Sequence, residues 1–438
     1  MPANAGRSRK RLSETMKRND IEWEKLFEKY HILDEIAHKG EFVISASGIK
    51  EFREPRLMTK FDHRVNLPDI FRANNLSILP ISRREYVIST FSAYKEFDEP
   101  SIELQRVSIP TCIQSLMPQF LVSEAIALNC ANACGILSDF LEDEELTPTV
   151  SGRMGSGKFE FNIATQSGNR QLTVNNSQIE IDAAYEGIQY LSLFEAKRDL
   201  ADDFLIRQLY YPFRVWSKRV TKKVKPIFMV FSNGVFNLYE YQFEDPWQYN
   251  SLRLVKQKNY VLATEIGLED IENLLRTVCV KPEPDIPFPQ ADRMSRIVNL
   301  IELLNEKTLT YQEITSKYAF DERQTRYYTD AGRYLKLINK EHDTNGNIVF
   351  RLSACGRRIM RLPYKQRQLA FATQILMHEV FNKTLKLHLQ CGEMPGREAI
   401  INIMKNAVLY HMEAPTTYYR RASTVIGWVN WILGIIEE

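Results

Sequence analysis

Gln178-Ile-Glu-Ile-Asp182 and, with twelve residues intervening, Glu195-Ala-Lys197 decide how this chain is read. Ile179, Ile181 and Ala183 alternate with Glu180 and Asp182, which is the period of a half-buried strand. Tyr190-Leu-Ser-Leu-Phe194 reads as the next strand, and Glu186-Gly187 as part of the turn between them. Side chains two apart on a strand share a face, so Glu195 and Lys197 point the same way, and antiparallel pairing brings Asp182 opposite them. Two hard oxygen ligands of this kind suit Mg²⁺, and an ammonium beside them suits a water attacking a phosphate. The chemistry expected is phosphodiester hydrolysis.

On these residues the chain resembles the PD-(D/E)XK nuclease superfamily and, within it, the type II restriction endonucleases. Asp182 stands at the position of that family's metal-binding aspartate, and Glu195-Ala-Lys197 at its E-x-K element. Ile181 stands where a proline often precedes the aspartate. The resemblance implies a core running helix, three strands, helix, strand. It also implies that Asp182, Glu195 and the carbonyl of Ala196 ligate Mg²⁺ while Lys197 aligns water. Without the resemblance, the same string reads as an exposed hairpin carrying charges.

The flanking sequence offers the remaining parts in order. Residues Pro118 to Leu141 have the length and apolar content of one buried helix, with proline in a tolerated first-turn position. Glu124 is the only charged residue between Arg106 and Asp139, and a carboxylate in such surroundings calls for a cation. The resemblance implies that it helps to ligate the metal; the other reading is a half-exposed glutamate favoured by the helix dipole. Lys158 to Ile163 alternates as a strand behind the glycine-rich Ser151 to Gly157, which lacks a P-loop ending and reads as a turn. Asp199 to Trp216 carries Ile206, Leu209, Phe213 and Trp216 at helical spacing, with Pro212 expected to kink or shorten it. Gln208 on this helix is the residue that the resemblance implies as support for the site, or else an ordinary polar residue of an amphipathic helix. Pro226 to Phe231 reads as a central strand covered on both faces, followed by an Asn233-Gly234 turn and an alternating strand from Val235 to Phe243.

At 438 residues the chain calls for about three domains, and a net charge of +2 makes any basic surface local rather than global. Six cysteines (Cys112, Cys130, Cys134, Cys279, Cys355 and Cys391) form no metal-binding pairs and read as reduced, mostly buried thiols. The basic stretch Pro2 to Arg11 has no apolar core behind it, so no signal peptide is expected, and no run approaches a membrane span. Cytoplasm is the expected compartment, with no membrane partner. Neither a Ser-His-Asp nor a Cys-His arrangement emerges, and His31, His38 and His63 lack ligand spacing.

Four prolines within Lys281 to Pro289 predict a stiff, extended linker. Beyond it, helices over Arg293 to Glu306 and Thr310 to Tyr318, a third capped by Asp321, and a hairpin turning at Asp343 to Asn347 resemble a winged helix-turn-helix module. From Ala291 to Arg367 there are fifteen Lys and Arg against nine Asp and Glu, an excess that attracts phosphate. Arg323, Gln324 and Arg326 on the first turns of the third helix are the residues expected to meet base edges, unless the module binds protein instead. Helices are expected over Tyr364 to Leu389, Arg397 to His411 and Tyr418 to Ile436. Arg420, Arg421, Ser423 and Thr424 are placed at the start of the last one, as in a second helix-turn-helix with a phosphate at its amino end. Before Ser115 an α/β region is expected, and its stretch Phe52 to Arg64 mixes bases with aromatics as a DNA clasp or a charged surface would.

The fold expected is therefore α/β. A restriction-endonuclease-like mixed-sheet core (115–280) stands between an amino-terminal α/β region (1–114) and mainly helical carboxyl-terminal modules (290–362 and 363–438). The function expected is a Mg²⁺-dependent, sequence-specific endonuclease of double-stranded DNA, acting as a homodimer beside a cognate DNA methyltransferase as a genetic partner. The alternatives are a transposon-end nuclease of a transposase complex and a non-catalytic winged-helix regulator.

Overall fold

The structure, a computed structural model, describes residues 18–98, 103–110, 112–113, 115–116, 123–143, 145–198, 200–262, 266–317, 320–344, 346–410, 412 and 415–436. It is a mixed α/β chain with a mixed central sheet and a helical carboxyl-terminal region. Pro2 to Arg11, Pro118, Asp199, Tyr318 and His411, which entered the expectations above, lie outside the described residues.

The amino-terminal region packs helices Arg18–Tyr30, Ile32–Lys39, Ala46–Lys50, Pro55–Met58 and Asp69–Ala73 around a small sheet of β1 (Phe42–Ser45), β2 (Ser77–Pro80) and β3 (Glu85–Ser89). Trp23, Phe27 and Phe71 meet edge to face with centroids 4.8 to 6.1 Å apart. The Trp23 indole donates to the Met58 carbonyl at 2.9 Å. That anchor fixes the start of the segment from Met58 to Asn66.

The central sheet has seven strands in the order β5-β14-β13-β12-β10-β9-β6. After β4 (Tyr94–Glu96), its members and neighbours run β5 (Leu104–Arg106), β6 (Thr147–Gly155), β7 (Lys158–Thr165), β8 (Gly168–Asn175), β9 (Gln178–Glu186), β10 (Tyr190–Lys197), β11 (Asp203–Leu205), β12 (Lys223–Ser232), β13 (Val235–Phe243) and β14 (Leu252–Val261). β10 and β12 pair in parallel, as do β5 and β14; the other neighbours are antiparallel. The apolar run in β12 divides cleanly by face. Phe228 and Val230 join the core beneath helix Arg207–Trp216, while Ile227, Met229 and Phe231 join the core beneath helices Glu124–Ala133 and Ile136–Leu141. This is why the run reads as uninterrupted apolar sequence: both faces are covered.

Several expectations are corrected here. The helix proposed from Pro118 to Leu141 has its first described turn at Glu124, where the Ser123 hydroxyl accepts from the Ile126 amide. It then breaks at Gly135, whose φ of 74° a glycine adopts freely. Of the glycine-rich stretch read as a turn, Ser151 to Gly155 is the end of β6, an edge strand whose pairing with β9 is twice interrupted, and Ser156 and Gly157 connect it to β7. Lys158 to Ile163 is a strand, but β7 pairs with β8 in a separate ribbon laid against the sheet, touched by single bridges from Phe91 and Gln248. The helix after the E-x-K begins at Arg207, not Asp199, because β11 takes up Asp203–Leu205 and pairs with β4; it continues through Pro212. Cys112, Cys279 and Cys391 are exposed rather than buried.

In the carboxyl-terminal region, helices Met294–Glu306, Tyr311–Lys317 and Glu322–Tyr334 stand beside a three-stranded sheet of β15 (Leu309–Thr310), β16 (Ile338–His342) and β17 (Ile348–Leu352). Helices Ala354–Met360, Tyr364–Leu376, Glu379–Cys391, Arg397–Lys405 and Pro415–Leu433 follow. The stretch from Tyr364 to Leu389 expected as one helix is thus two. All these elements share one apolar core running from Met294 through Trp428 to Ile435, so 290–362 and 363–438 are packed together. Trp428 is fully buried and donates to the Ala291 carbonyl at 2.7 Å.

The proline-rich linker is extended, and it is docked. Phe288 stacks on Phe381 with centroids 5.6 Å apart and meets Tyr334 edge to face. The Glu283 carboxylate bonds the His378 ring at 2.8 Å and accepts from the Tyr334 hydroxyl. Phe288→Ala should therefore destabilise the chain by about 3 kcal/mol. A lowered urea midpoint together with new protease cleavage between residues 278 and 293 is expected; unchanged cleavage there would count against the docking.

Candidate active site

The pairing of β9 with β10 runs from Glu186 opposite Leu191 to Ala183 opposite Phe194. Asp182 and Glu195 are the next residues along the two strands. There the ladder stops, because the Ala196 amide donates to the Asp182 carboxylate at 2.8 Å rather than to a main-chain carbonyl. The alternation of β9 also slips at this point. Ile181 and Ala184 share one small core with Leu191 and Leu193, whereas Ala183 and Tyr185 lie against the opposite core. Two residues three apart on one face require an irregularity between them, and the β6–β9 register shifts here. A bulge of this sort re-aims a side chain.

Asp182, Glu195, Lys197, Glu124 and Gln208 all line one cavity of about 410 Å³. Glu195 is 7% exposed. Its Oε1 accepts from the Lys197 ammonium and from Gln208 Nε2 at 2.6 Å. Lys197 also lies 3.4 Å from the carbonyl of Ala196, the oxygen expected in a metal shell. Glu124 reaches the cavity from the first turn of its helix. Gln208 Oε1 is buried without a protein partner.

The electrostatics follow from burial. Loss of water pushes the Glu195 carboxyl up to about 7; Lys197 opposes this, while Asp182 and Asp62 add to it. Burial also works against the Lys197 ammonium, but Glu195, Asp62 and Asp182 outweigh it and hold that amine well above its ordinary value. The cavity therefore holds a charged lysine beside a carboxyl that is poised to ionise near neutrality.

Two carboxylates and a main-chain carbonyl are hard oxygen donors of the type Mg²⁺ accepts, and this ion usually keeps several waters instead of demanding an all-protein cage. Among the described residues no group of three or more His, Cys, Asp and Glu is gathered tightly enough to hold an ion alone. The residues present fit a cation held by Asp182 and Glu195 that shares its remaining positions with water and substrate.

The sequence reading missed the cavity's other wall. Lys60, Asp62, His63 and Asn66 line it from the amino-terminal region, as do Arg153, Glu180 and Arg207 from the sheet and the following helix. His63 bonds the Asp203 carbonyl at 2.5 Å, the Arg64 amide donates to the Asp203 carboxylate at 3.1 Å, and the Leu205 amide donates to the Asp62 carbonyl at 3.0 Å. The only signal for this in the sequence was the mixed stretch Phe52 to Arg64.

The residues expected to touch DNA fall into three groups. Arg323 and Arg326 are exposed on helix Glu322–Tyr334, where Arg323 donates to the Tyr327 hydroxyl at 2.7 Å. Gln324 closes a capping box with Asp321: its side chain accepts from the Asp321 amide at 3.1 Å, which ties it to the helix end. Arg420 is exposed and Arg421 half-buried. The placement of Arg420 to Thr424 at a helix start is corrected. Their helix begins at Pro415, so Arg420 to Thr424 stand beyond the first turn that carries its free amides, and Thr424 is 1% exposed and faces the core. Ser423 is half-buried.

Three families match the chain. Each is described only as a domain of unknown function: DUF6996 over residues 20–88, DUF6997 over 89–261 and DUF7226 over 296–437. No curated protein and no solved structure matches it. The cavity draws residues from the first two of these segments. Among the described residues, no helix is long and apolar enough to cross a membrane.

The raised Glu195 carboxyl has a consequence for stability. The unfolded glutamate titrates near its ordinary 4.5 and the folded one near about 7. Between these values folding takes up a proton, so stability should fall as pH rises across that window, by on the order of 3 kcal/mol, and level off above it. Asp182→Asn removes a charge that raises Glu195 and should shift the window's upper end down. Urea unfolding at steps from pH 5 to pH 8 reads both effects, and a wild-type curve with no decline in that range would contradict them.

Proposed function

We propose that this chain is a Mg²⁺-dependent, sequence-specific endonuclease of double-stranded DNA, built on a restriction-endonuclease-like core with a winged helix-turn-helix for target recognition. The observation that carries this reading is that Asp182 and the Glu195–Lys197 pair, remote in sequence, line one cavity with Glu124 and Gln208. The arrangement of the core supports it: a helix ahead of the sheet, the β9–β10 pair, helix Arg207–Trp216, and β12 parallel to β10. The three helices and the sheet after the linker support the recognition module, with exposed Arg323 and Arg326 on its third helix.

On this reading Asp182 and Glu195 hold the ion, which when bound neutralises charge building on the phosphate. Lys197 donates to the attacking water and orients it. Gln208 fixes Glu195 through its amide nitrogen, and the proton that the water gives up on attack passes to a non-bridging oxygen of the substrate phosphate. Cutting both strands calls for two such cavities, so the proposal includes a homodimer, in the cytoplasm, with a methyltransferase encoded nearby.

Incubation of the purified protein with unmethylated DNA and Mg²⁺ should give discrete fragments, and EDTA should abolish them. Asp182→Ala and Lys197→Ala should each lower cleavage by about 10³-fold or more while leaving duplex affinity in place. Binding with no cutting under any divalent metal would point to the regulator instead, and cutting confined to the ends of a mobile element to a transposition nuclease.

Arg323→Ala combined with Arg326→Ala should weaken duplex binding and lower the slope of log affinity against log salt by about 2. An unchanged slope would remove that helix from the DNA interface.

A further inference from the structure

Asn66 and Arg207 come from segments 141 residues apart and line the same cavity as Asp182, Glu195 and Lys197. Each has a buried donor with no protein acceptor: Nδ2 of Asn66 and Nε of Arg207. The other cavity cations are engaged. Lys197 pairs with Glu195, Arg153 with Glu180 at 3.1 Å, and Lys60 with Asp62 at 3.5 Å. Among the described residues Arg207 makes no such pair; its guanidinium lies over the Tyr211 ring at 5.7 Å.

The two donors are also held in place. Asn66 closes a short 3₁₀ turn with its amide on the His63 carbonyl at 3.0 Å. That turn is bound to Asp203, four residues before Arg207, through the Arg64 amide and the His63 ring. A fixed pair of donors, one on a guanidinium with no ion pair among the described residues, beside carboxylates suited to a cation, asks for an anionic oxygen.

We infer that Asn66 and Arg207 form a phosphate subsite that grips a non-bridging oxygen of the phosphodiester adjoining the one that is cut. This rests on the nuclease reading, and it gives the amino-terminal region a role in seating the strand. The subsite fixes the substrate's register against Asp182 and Lys197 and takes no part in bond breaking, so its loss acts on binding and leaves the chemical step alone.

The test compares wild type, Asn66→Asp, Arg207→Gln and Arg207→Lys by three measurements. These are duplex DNA affinity in EDTA as a function of salt, cleavage KM and kcat in Mg²⁺, and the rise in melting temperature produced by inorganic phosphate. Asn66→Asp and Arg207→Gln should each raise KM and weaken duplex affinity about tenfold with kcat within a few-fold of wild type. Arg207→Gln should lower the salt slope by about 1, and Arg207→Lys should restore it. Phosphate should stabilise wild type and neither Asn66→Asp nor Arg207→Gln. If Asn66→Asp does not fold, Asn66→Ser takes its place with the same expectations. Unchanged KM and affinity, or a fall in kcat alone, overturns the subsite while leaving the nuclease reading intact. Should wild type cut nothing, loss of phosphate stabilisation and of EDTA duplex affinity in the variants still upholds an anion site. Retention of both overturns it.

Discussion

A carboxylate removed from water must be paid for by a partner, and in this chain Glu195 meets that requirement with Lys197 and Gln208 at once. The rest of the cavity follows from it. Lys197 sits two residues along the same strand, so the pair shares a face, and Gln208 must approach from the helix that covers that face. Burial still outweighs the attraction of the ammonium, which leaves the carboxyl titrating near neutrality. A carboxyl left titrating in that range is one whose charge a modest change in its surroundings can alter.

The segment after β10 is where the three regions of the chain meet. From the amino-terminal side, Asp62 and Arg64 bond to Leu205 and Asp203. From the carboxyl-terminal side, the Asn299 carboxamide donates to the Arg198 carbonyl at 2.6 Å and accepts from the Leu200 amide at 3.4 Å, while Glu306 pairs with Arg198. Glu302 accepts from the Ser232 hydroxyl and the Asn233 amide at the far end of β12. Asn233 itself, at φ 54° with Gly234 at φ 78°, makes the tight turn its sequence demands and exchanges two hydrogen bonds with Gln368. Loops that would otherwise face water are thereby held on both sides.

The local grammar of strands and turns was legible in the sequence, because it depends on neighbours. β9, β10, β12 and β13 fall where alternation, apolar runs and the Asn-Gly step put them, and the linker and the capped third helix of the last region likewise. What escaped depends on contacts between distant residues. Nothing in the spacing of Lys60, Asp62 and Asn66 indicates that they will face Glu195, since that is settled by the anchoring of Trp23 and Asp203. The slip in β9 at Asp182 escaped too, because an alternating string looks the same with or without an irregularity imposed by its partner. Thr424 was misplaced for a simpler reason: its helix starts at Pro415, so a hydroxyl taken for a helix-end ligand lies on the inner face.

The bulge and the docking account together for why a strand pair alone does not make this cavity. Regular pairing carried through to Lys197 would also put Asp182 on the face of Glu195, but it would send the Ala196 amide to a main-chain carbonyl. In the structure that amide takes the Asp182 carboxylate, the ladder ends, and the freed end of β10 must be held by something else. The parallel pairing with β12 continues through Lys197 opposite Val230 and supplies one restraint. The Asn299 bonds to Arg198 and Leu200 supply the other. The position of Lys197 is thus bounded by its own sheet on one side and by the region after the linker on the next residue, which makes the seating of that region a condition for the geometry of the cavity.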